Sequence, residues 1–487
     1  MKRSKHMVWL LLLLTGYVAA QQPADTLRLS LQQVVQLAKT QSIAARQAAT
    51  IRKTRYWQYR TYRSNYQPQL SLNGILPGYN KTYTEVQQPD GSVLFQPVHN
   101  NNSSVNLSFS QSIAATGGNI FGTTQLQRFD DFESEVTLYN SVPFGIGYTQ
   151  PLWQFNPLKW DKKIEPLKYR ESIQGYIESM EQIAIVASGY FFDLLLAQVN
   201  LQIAETNLTN TKMIQEIARE KLALGKVSKN EMLQLELEQL KSQKAVGSAR
   251  RDCEIAALNL RSYTGLSQAD PVVLMLPETV INMEAKADKV LAEAYANRSD
   301  AIAFTRRIAE ARRDVAKAKG DNGLNAALTA QLGYSKSAPT LGKVYRQPQD
   351  QQEVSITFSI PLLDWGRSTS RLKTAQANME FTSYEVEQAK QVFVQEIYTQ
   401  VTLFTMMQEQ LQLTMEADGI ATEKYQIAKD RYVLGNVSIT DLSIAFQEKD
   451  QAKRDYIFAL RNFWGAYYQL RYLSLYDFEK HEKIHYQ

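Results

Sequence analysis

The chain repeats itself at a constant offset, and this narrows the folds open to it more than any other feature. Displacing the 487-residue sequence by 210 positions sets Ile217-Ala-Arg-Glu-Lys-Leu-Ala-Leu-Gly-Lys-Val-Ser-Lys-Asn-Glu231 over Ile427-Ala-Lys-Asp-Arg-Tyr-Val-Leu-Gly-Asn-Val-Ser-Ile-Thr-Asp441. Ile, Ala, Leu, Gly, Val and Ser recur, and Arg219/Lys429, Glu220/Asp430, Lys221/Arg431 and Glu231/Asp441 keep their charge. The same offset superimposes Pro151-Leu152 on Pro361-Leu362 and Leu260-Arg261 on Leu470-Arg471 without a gap. Nearer the start, Ser42–Arg55 resembles Ser299–Arg312 at an offset of 257, so the first copy holds about 47 additional residues between its first helix and Pro151. A repeated unit that cannot bury its apolar face alone must pack on its twin or on other chains.

Within each copy the periodicity passes from helical to strand-like and back. Val354-Ser-Ile-Thr-Phe-Ser-Ile360 alternates apolar and hydroxyl residues, the period of a two-faced strand. Leu328–Tyr334 alternates likewise, and the first copy offers Leu70–Leu72, Val105–Phe109, Phe144–Tyr148 and a weaker run from Ile120 to Phe129. The Asn/Gln/Pro/Gly-rich segment Tyr79–Ser104 reads as a long exposed loop, with His99 in it. Proline is absent from Leu167 to Asp270 and from Leu362 onward, where Phe393, Ile397, Val401 and Phe404 keep helical spacing. A helix over Asp161–Ala223 would extend roughly 95 Å at 1.5 Å per residue, which suits a coiled-coil-like array and not a compact domain. Each Leu-Gly-x-Val-Ser joins two such helices. Gly225 and Gly435 suit a left-handed C-cap, Ser228 and Ser438 an N-cap, and Glu231 and Asp441 complete a capping-box spacing. Pro151 and Pro361 stand at the expected change from strand to helix, where proline ends pairing and presets a first helical turn.

Composition closes several classes. With 21% charged residues and a mean hydropathy of -0.36, the chain is no bundle of membrane-spanning helices. Residues 1–20, with basic Lys2, Arg3 and Lys5, apolar Leu10–Leu14 and small Ala19-Ala20, read as a secretory signal peptide cleaved after Ala20, leaving Gln21 and no lipoprotein cysteine. Its removal lowers the formal charge from +5 to +2, which gives no nucleic-acid-binding surface. The single Cys253 allows no internal disulfide and, without a nearby histidine, reads as an inert packed thiol. His481 and His485 read as a solvated tail and not a metal site; no catalytic residue, cofactor motif or metal cluster stands out, and no enzymatic activity is expected.

Strands of about ten residues beside helices near 100 Å suit an outer-membrane barrel, lipid on one face and water on the other. An open edge in lipid is forbidden, so the few strands of one chain must close with those of others. At this point the order of elements, the duplication, Pro361-Leu-Leu-Asp-Trp-Gly-Arg367 and both Leu-Gly-x-Val-Ser tips resemble TolC-like outer-membrane efflux proteins (outer membrane factors), over the whole chain beyond the signal peptide.

The resemblance implies a mostly α fold with a membrane β-barrel portion: a duplicated helix-strand-strand-helix unit, assembled as a homotrimer with an α-helical barrel and a shared β-barrel. It implies a passive duct in a tripartite efflux or type I secretion system, located in the bacterial outer membrane with a long periplasmic portion. Partners would be a periplasmic adaptor (membrane fusion protein), an inner-membrane pump and outer-membrane lipid, with no nucleic acid, cofactor or metal. The first repeat would occupy 21–289, with helices around strands 66–152, a hairpin tip at 224–228 and an equatorial segment at 264–289. The second would occupy 290–487, with strands 325–361, a tip at 434–438 and a C-terminal equatorial segment. Leu224, Gly225, Val227, Ser228, Leu434, Gly435, Val437 and Ser438 become the adaptor-contact tips. Asp441 matches the carboxylate ring of the closed periplasmic mouth, and Ile444 stands where relatives carry a second acid. Asp441 can equally be an acid that stabilises a helix start, and for Glu231 that reading is the preferred one. The first copy supplies four strands where the family's usual unit has two, giving six per chain and 18 per trimer against twelve, unless the hairpin about Val105–Phe129 lies outside the barrel. Trp153, Phe155, Trp160 and Trp365 form an interfacial girdle or pack the barrel junction. A periplasmic helical adaptor or scaffold without its own pore is the alternative.

Overall fold

A computed structural model describes residues 27–223, 225, 227–267, 271–277, 283–434 and 436–486. The signal-peptide reading, Leu224 and Gly435 therefore lie outside the described residues. The described chain opens with β1 (Leu27–Leu29), α1 (Leu31–Gln41) and α2 (Ile43–Ser64). Next come β2 (Gln69–Ile75), β3 (Tyr79–Gln87), β4 (Val93–Ser112), β5 (Asn119–Asp131) and β6 (Val136–Leu152). The helices α3 (Pro157–Ala223) and α4 (Lys229–Thr264), then β7 (Val272–Leu274), α5 (Ala287–Asn297) and α6 (Ser299–Asp321), lead into β8 (Asn325–Ala338), α7 (Leu341–Val344) and β9 (Gln349–Ser359). Helices α8 (Arg367–Val433) and α9 (Ile439–Ser474) precede β10 (Tyr476–Asp477) and β11 (Glu482–Lys483).

The repeat reappears as matched helices. α3 and α8 each have 67 residues and α4 and α9 each have 36, and all four boundaries of the second pair lie 210 positions after those of the first. Each 67-residue helix would span about 100 Å. Their starts differ from expectation. Pro151 lies in β6, and α3 begins six residues later at Pro157, whose first turn is capped where the Lys159 N–H donates to Asn156 Oδ1 at 3.1 Å. A proline without an N–H fits the first helical position, so Pro157 takes the role assigned above to Pro151. In the second copy α8 likewise begins at Arg367 and not at Pro361.

Two compact units divide the chain. The first comprises 1–46, 182–282 and 406–468. Its helices bury Phe191, Phe192, Leu194, Leu260, Leu411, Ile457, Leu460 and Phe463. This explains the stretch of α3 apolar enough to cross a membrane: Ile183, Ala184, Ala187 and Leu195 face this core as well. Ion pairs tie the long helices together along their polar sides: Arg461 to Asp193 at 2.7 Å, Lys453 to Asp418 at 3.0 Å, and Lys424 to Glu448 at 2.5 Å. β1 pairs with β7 in parallel, Leu27 opposite Val272, and the Gln198 side chain on α3 bonds both the Val272 carbonyl (2.8 Å) and the Leu274 N–H (3.1 Å).

The second unit comprises 47–181, 283–405 and 469–487. Its helical part is held by buried charge. Arg298, 8% exposed, lies among Glu178, Asp300 and Glu396 and stacks over the Phe393 and Tyr472 rings. Arg306 grips Glu171 through two nitrogens and Glu310 through a third. Arg471 bridges fully buried Glu181 and Asp477, with the Tyr486 hydroxyl donating to Glu181. Buried charges are tolerated when paired this closely, and removing one member costs more than the pair contributes.

A sheet forms the rest of this unit, in the order β2-β4-β5-β6-β8-β9, with β3 continuing along β4 beyond β2. Every adjacent pair is antiparallel. The weak run Ile120–Phe129 is a strand paired on both sides, and the hairpin about Val105–Phe129 lies inside the sheet. Tyr79–Ser104 is not a loop. It is the hairpin β3–β4, turning at Pro89-Asp90-Gly91, where Gly91 has φ +86 and Asp90 accepts from the Ser92 N–H and hydroxyl. Its polar residues are cross-strand partners: Asn101 accepts from the Gly78 N–H and donates to Asp130, and His99 stands within 3.0 Å of the Tyr79 hydroxyl.

Candidate functional site: a two-faced sheet and two helical tips

Strand alternation and register give the sheet an apolar and a polar face. Rows across one face read Leu72 opposite Leu107, Leu70 opposite Phe109, Ile146 opposite Leu332, Phe144 opposite Tyr334, and Leu328 opposite Ile356. The other face pairs Ser71 with Ser108, their hydroxyls 2.8 Å apart, Asn73 with Asn106, Thr149 with Thr329, and Gln331 with Glu353. On this face the Phe121 ring covers Gly147; a Cβ there would lie 2.3 Å from the ring, which explains the glycine. The apolar side chains are the least covered on the outermost strands: Leu70 and Leu72 are 69% exposed, Val354 72% and Phe358 71%. A continuous apolar sheet face exposed to this degree is not stable in water and marks a surface meant for lipid or protein. The aromatic residues at the junction divide: Trp153 and Trp365 stand exposed, while Phe155 and Trp160 are half-buried, Phe155 packing its backbone on Gly320.

The first unit holds both tips. In the α3–α4 connection Gly225 takes φ +69, with its N–H bonded to the Leu222 carbonyl at 2.9 Å. Ser228 and Glu231 form a reciprocal capping box: the Ser228 N–H donates to Glu231 Oε2 at 2.7 Å and the Glu231 N–H to Ser228 Oγ at 3.2 Å. These bonds from Ser228 hold the Glu231 carboxyl below its usual range. In the α8–α9 connection the Asp441 N–H donates to Ser438 Oγ at 3.2 Å, and that hydroxyl donates to Asp441 Oδ2 at 2.7 Å. Both acids are therefore helix-start acids in local geometry. Val227 and Val437 are half-covered, Ser228 and Ser438 exposed, and Leu434 is among the barest apolar side chains of its unit. Asp441 and Ile444, one turn apart, share an exposed face while Leu442 and Ala445 are buried on the other side.

Sequence reasoning missed a stripe beside them. Met406, Leu413, Ile420 and Ile427 recur every seven residues along α8, Leu434 continues the spacing just past its end, and all five are exposed; Leu233, Leu237 and Leu240 form a shorter exposed stripe on α4. A strict seven-residue apolar period is the mark of a coiled-coil seam. The spacing was readable in the sequence; that these residues stand outside the core was not.

Other candidates carry no chemistry here. Burial and the neighbouring Glu254 charge push the Cys253 thiol up, away from the reactive thiolate. His481 lies in the turn between β10 and β11, so it and His485 do not share a helical face, and among the described residues no cluster of metal-ligating side chains occurs.

Residues 290–473 match the family described as outer membrane efflux protein. No curated protein sequence matches the chain. Solved structures do. The outer-membrane channel OprN superposes with a TM-score of 0.65 at 16% identity, covering 91% of this chain and 89% of that one. The CmeC outer membrane channel of Campylobacter jejuni gives 0.65 at 14%, covering 91% and 85%. The outer membrane protein VceC of Vibrio cholerae gives 0.63 at 15%, covering 91% and 95%. At such identities the likeness establishes the fold, and the fold is that of these channels across almost the whole chain.

Proposed function

We propose that this chain, whose residues 290–473 match the outer membrane efflux protein family and whose fold is that of outer-membrane channels, is a TolC-like channel subunit, and that three copies assemble into a passive duct running from the periplasm to the exterior, with the sheets sharing one barrel and the long helices continuing it into the periplasm. The family match over 290–473 and the channel fold support outer-membrane efflux as its function, and the adaptor or scaffold alternative has no such support. The observation that carries the assembly is the two-faced sheet with unpaired strands at both ends. Lipid leaves no backbone group unbonded, so an open sheet of this polarity is complete only when other copies close it. The seven-residue seam on α8 supports the same reading for the helices.

In this arrangement the apolar face meets lipid, and the Ser/Thr/Asn/Gln face lines a wide, nearly uncharged lumen. Trp153 and Trp365 sit at the level of the lipid headgroups. Charge selection then falls to the periplasmic end, where three Asp441 carboxylates ring the mouth beside three apolar Ile444 side chains. The tips around Gly225, Val227, Ser228, Leu434, Val437 and Ser438, with Leu224 and Gly435, face a periplasmic adaptor that couples the duct to an inner-membrane pump. The repeats divide as 21–289 and 290–487. Cargo is chosen by the pump and adaptor, which admits drug, metal and protein export alike. Membrane fractionation tests the reading: outer-membrane protein extracted only by detergent and migrating as an SDS-resistant trimer is expected, and a soluble monomer would contradict it.

A further inference from the structure

The two ends of the sheet are unusually bare. Neither β2 (Gln-Leu-Ser-Leu-Asn-Gly-Ile) nor the helix-proximal part of β9 (Glu-Val-Ser-Ile-Thr-Phe-Ser) carries a lysine, arginine or proline, the residues by which soluble proteins protect open edges. The five antiparallel steps between them make β9 run opposite to β2, so β9 of one copy can join β2 of the next as another antiparallel neighbour. We propose that these edges pair between copies with Phe358 opposite Leu70, Ile356 opposite Leu72 and Val354 opposite Gly74 of the partner copy, closing an eighteen-stranded barrel. The proposal rests on the trimeric channel reading and adds its register and width.

Three observations select that register. First, the helix-proximal ends of the two strands are Gln69, soon after α2, and Ser359, shortly before α8; setting them opposite each other pairs all seven residues of β2. Second, the apolar residues of one strand then meet apolar residues of the other, and Ser71 meets Thr357 on the polar face. A shift by one residue would turn every Leu toward water, and a shift by two in one direction would set Gln352 opposite Gly74 and leave Phe358 without a cross-strand partner. Third, the internal register can be followed across one chain, from Gln69 through Ser110, Phe121, Gly147 and Gln331 to Glu353. Glu353 stands six positions from Ser359, so each copy advances the stagger by six residues.

Three copies of six strands then close with a stagger equal to the strand number, which corresponds to a tilt of about 35° and a backbone diameter of about 34 Å. Had the first repeat supplied two strands like the second, the barrel would have twelve and be roughly 22 Å wide. The strands added by the first repeat thus widen the membrane segment by about half while leaving the helices, whose lengths match between repeats, unchanged.

Cysteine cross-linking tests the register. In a Cys253→Ser background, the pair Ser71→Cys and Thr357→Cys faces the lumen, at the distance of directly opposed residues; displaced pairs such as Ser71→Cys with Ser355→Cys or Ser359→Cys lie about 7 Å apart, beyond disulfide reach. Oxidation of the first pair should convert most of the denatured protein to a covalent ladder ending at trimer, reversed by reductant, whereas single substitutions and displaced pairs stay monomeric after full denaturation. Preferential cross-linking of a displaced pair, or an SDS-resistant trimer in which the Ser71–Thr357 pair never links, overturns this register and leaves the channel reading standing. A soluble monomer removes both. Strand counting by electron microscopy of the unsubstituted trimer gives an independent answer: eighteen is expected, and twelve contradicts the proposal even if the cysteine variants fail to fold.

Discussion

At the scale of single residues, the tips and the buried charges carry the sharpest expectations. Ser228 satisfies the Glu231 N–H at the start of α4, so Ser228→Ala should loosen that turn by about 1 kcal/mol, read as faster amide exchange confined to the first turn. Unchanged exchange would mean that the adjoining hairpin holds the turn without the cap. Asp441→Asn should reduce cation block and shift single-channel conductance, while leaving trimer yield unaltered because the amide still accepts from Ser438; identical traces would remove Asp441 from the pore. The C-terminal segment has an acid limit. Burial alone would raise the Asp477 pKa, but the Arg471 guanidinium and the N–H groups of Lys480 and Glu479 outweigh it and hold the carboxyl below its ordinary range. A group with a depressed folded pKa contributes stability above its unfolded value, near 4, and loses it as pH falls through the folded value. Protease resistance of the β10–β11 segment should therefore persist at neutral pH and fail below about pH 4. Arg471→Met, which strands two buried carboxylates, should abolish that resistance at pH 7; retained resistance would show that the charge pair is dispensable.

At the scale of elements, the α8 stripe is the feature with most to lose. Ile420 stands 68% exposed in a five-member heptad series, so Ile420→Asp should leave helix content unchanged and eliminate the SDS-resistant trimer. A stable trimer in that variant would place the helix-to-helix contact elsewhere. The elements also show where the sequence was and was not legible. Helices α3, α4, α8 and α9 were readable because proline is absent from Leu167 to Asp270 and from Leu362 onward and caps recur at a constant offset; the structure returns their boundaries at that same offset, with α3 also taking in Pro166 near its start. The hairpin β3–β4 was hidden because its asparagines and glutamines, which resemble loop composition, are satisfied by cross-strand partners that no local pattern reveals. Pro151 misled for a related reason. Pairing with Ala327 on β8 continues through it, and only Asn156 and Pro157 together start the helix.

At the scale of the whole molecule, a duplicated chain with matched helices and an unequal sheet accounts for both the family likeness and the departure from it. Conserving helix length keeps the tips and junctions of the two repeats equivalent, whereas strands can be added in hairpins without disturbing them. Asp441 was legible as a helix-start acid and the tips as exposed turns, since those depend on local sequence; the pore role proposed for Asp441 and Ile444 depends on symmetry between chains, which one sequence does not encode locally. The most direct test of the account is electrical. Purified protein inserted into a planar lipid bilayer should produce discrete, cation-preferring conductance steps whose cation preference falls in Asp441→Asn; a membrane-inserted protein that never conducts, under voltage or after that substitution, would contradict the claim that this chain forms an outer-membrane duct.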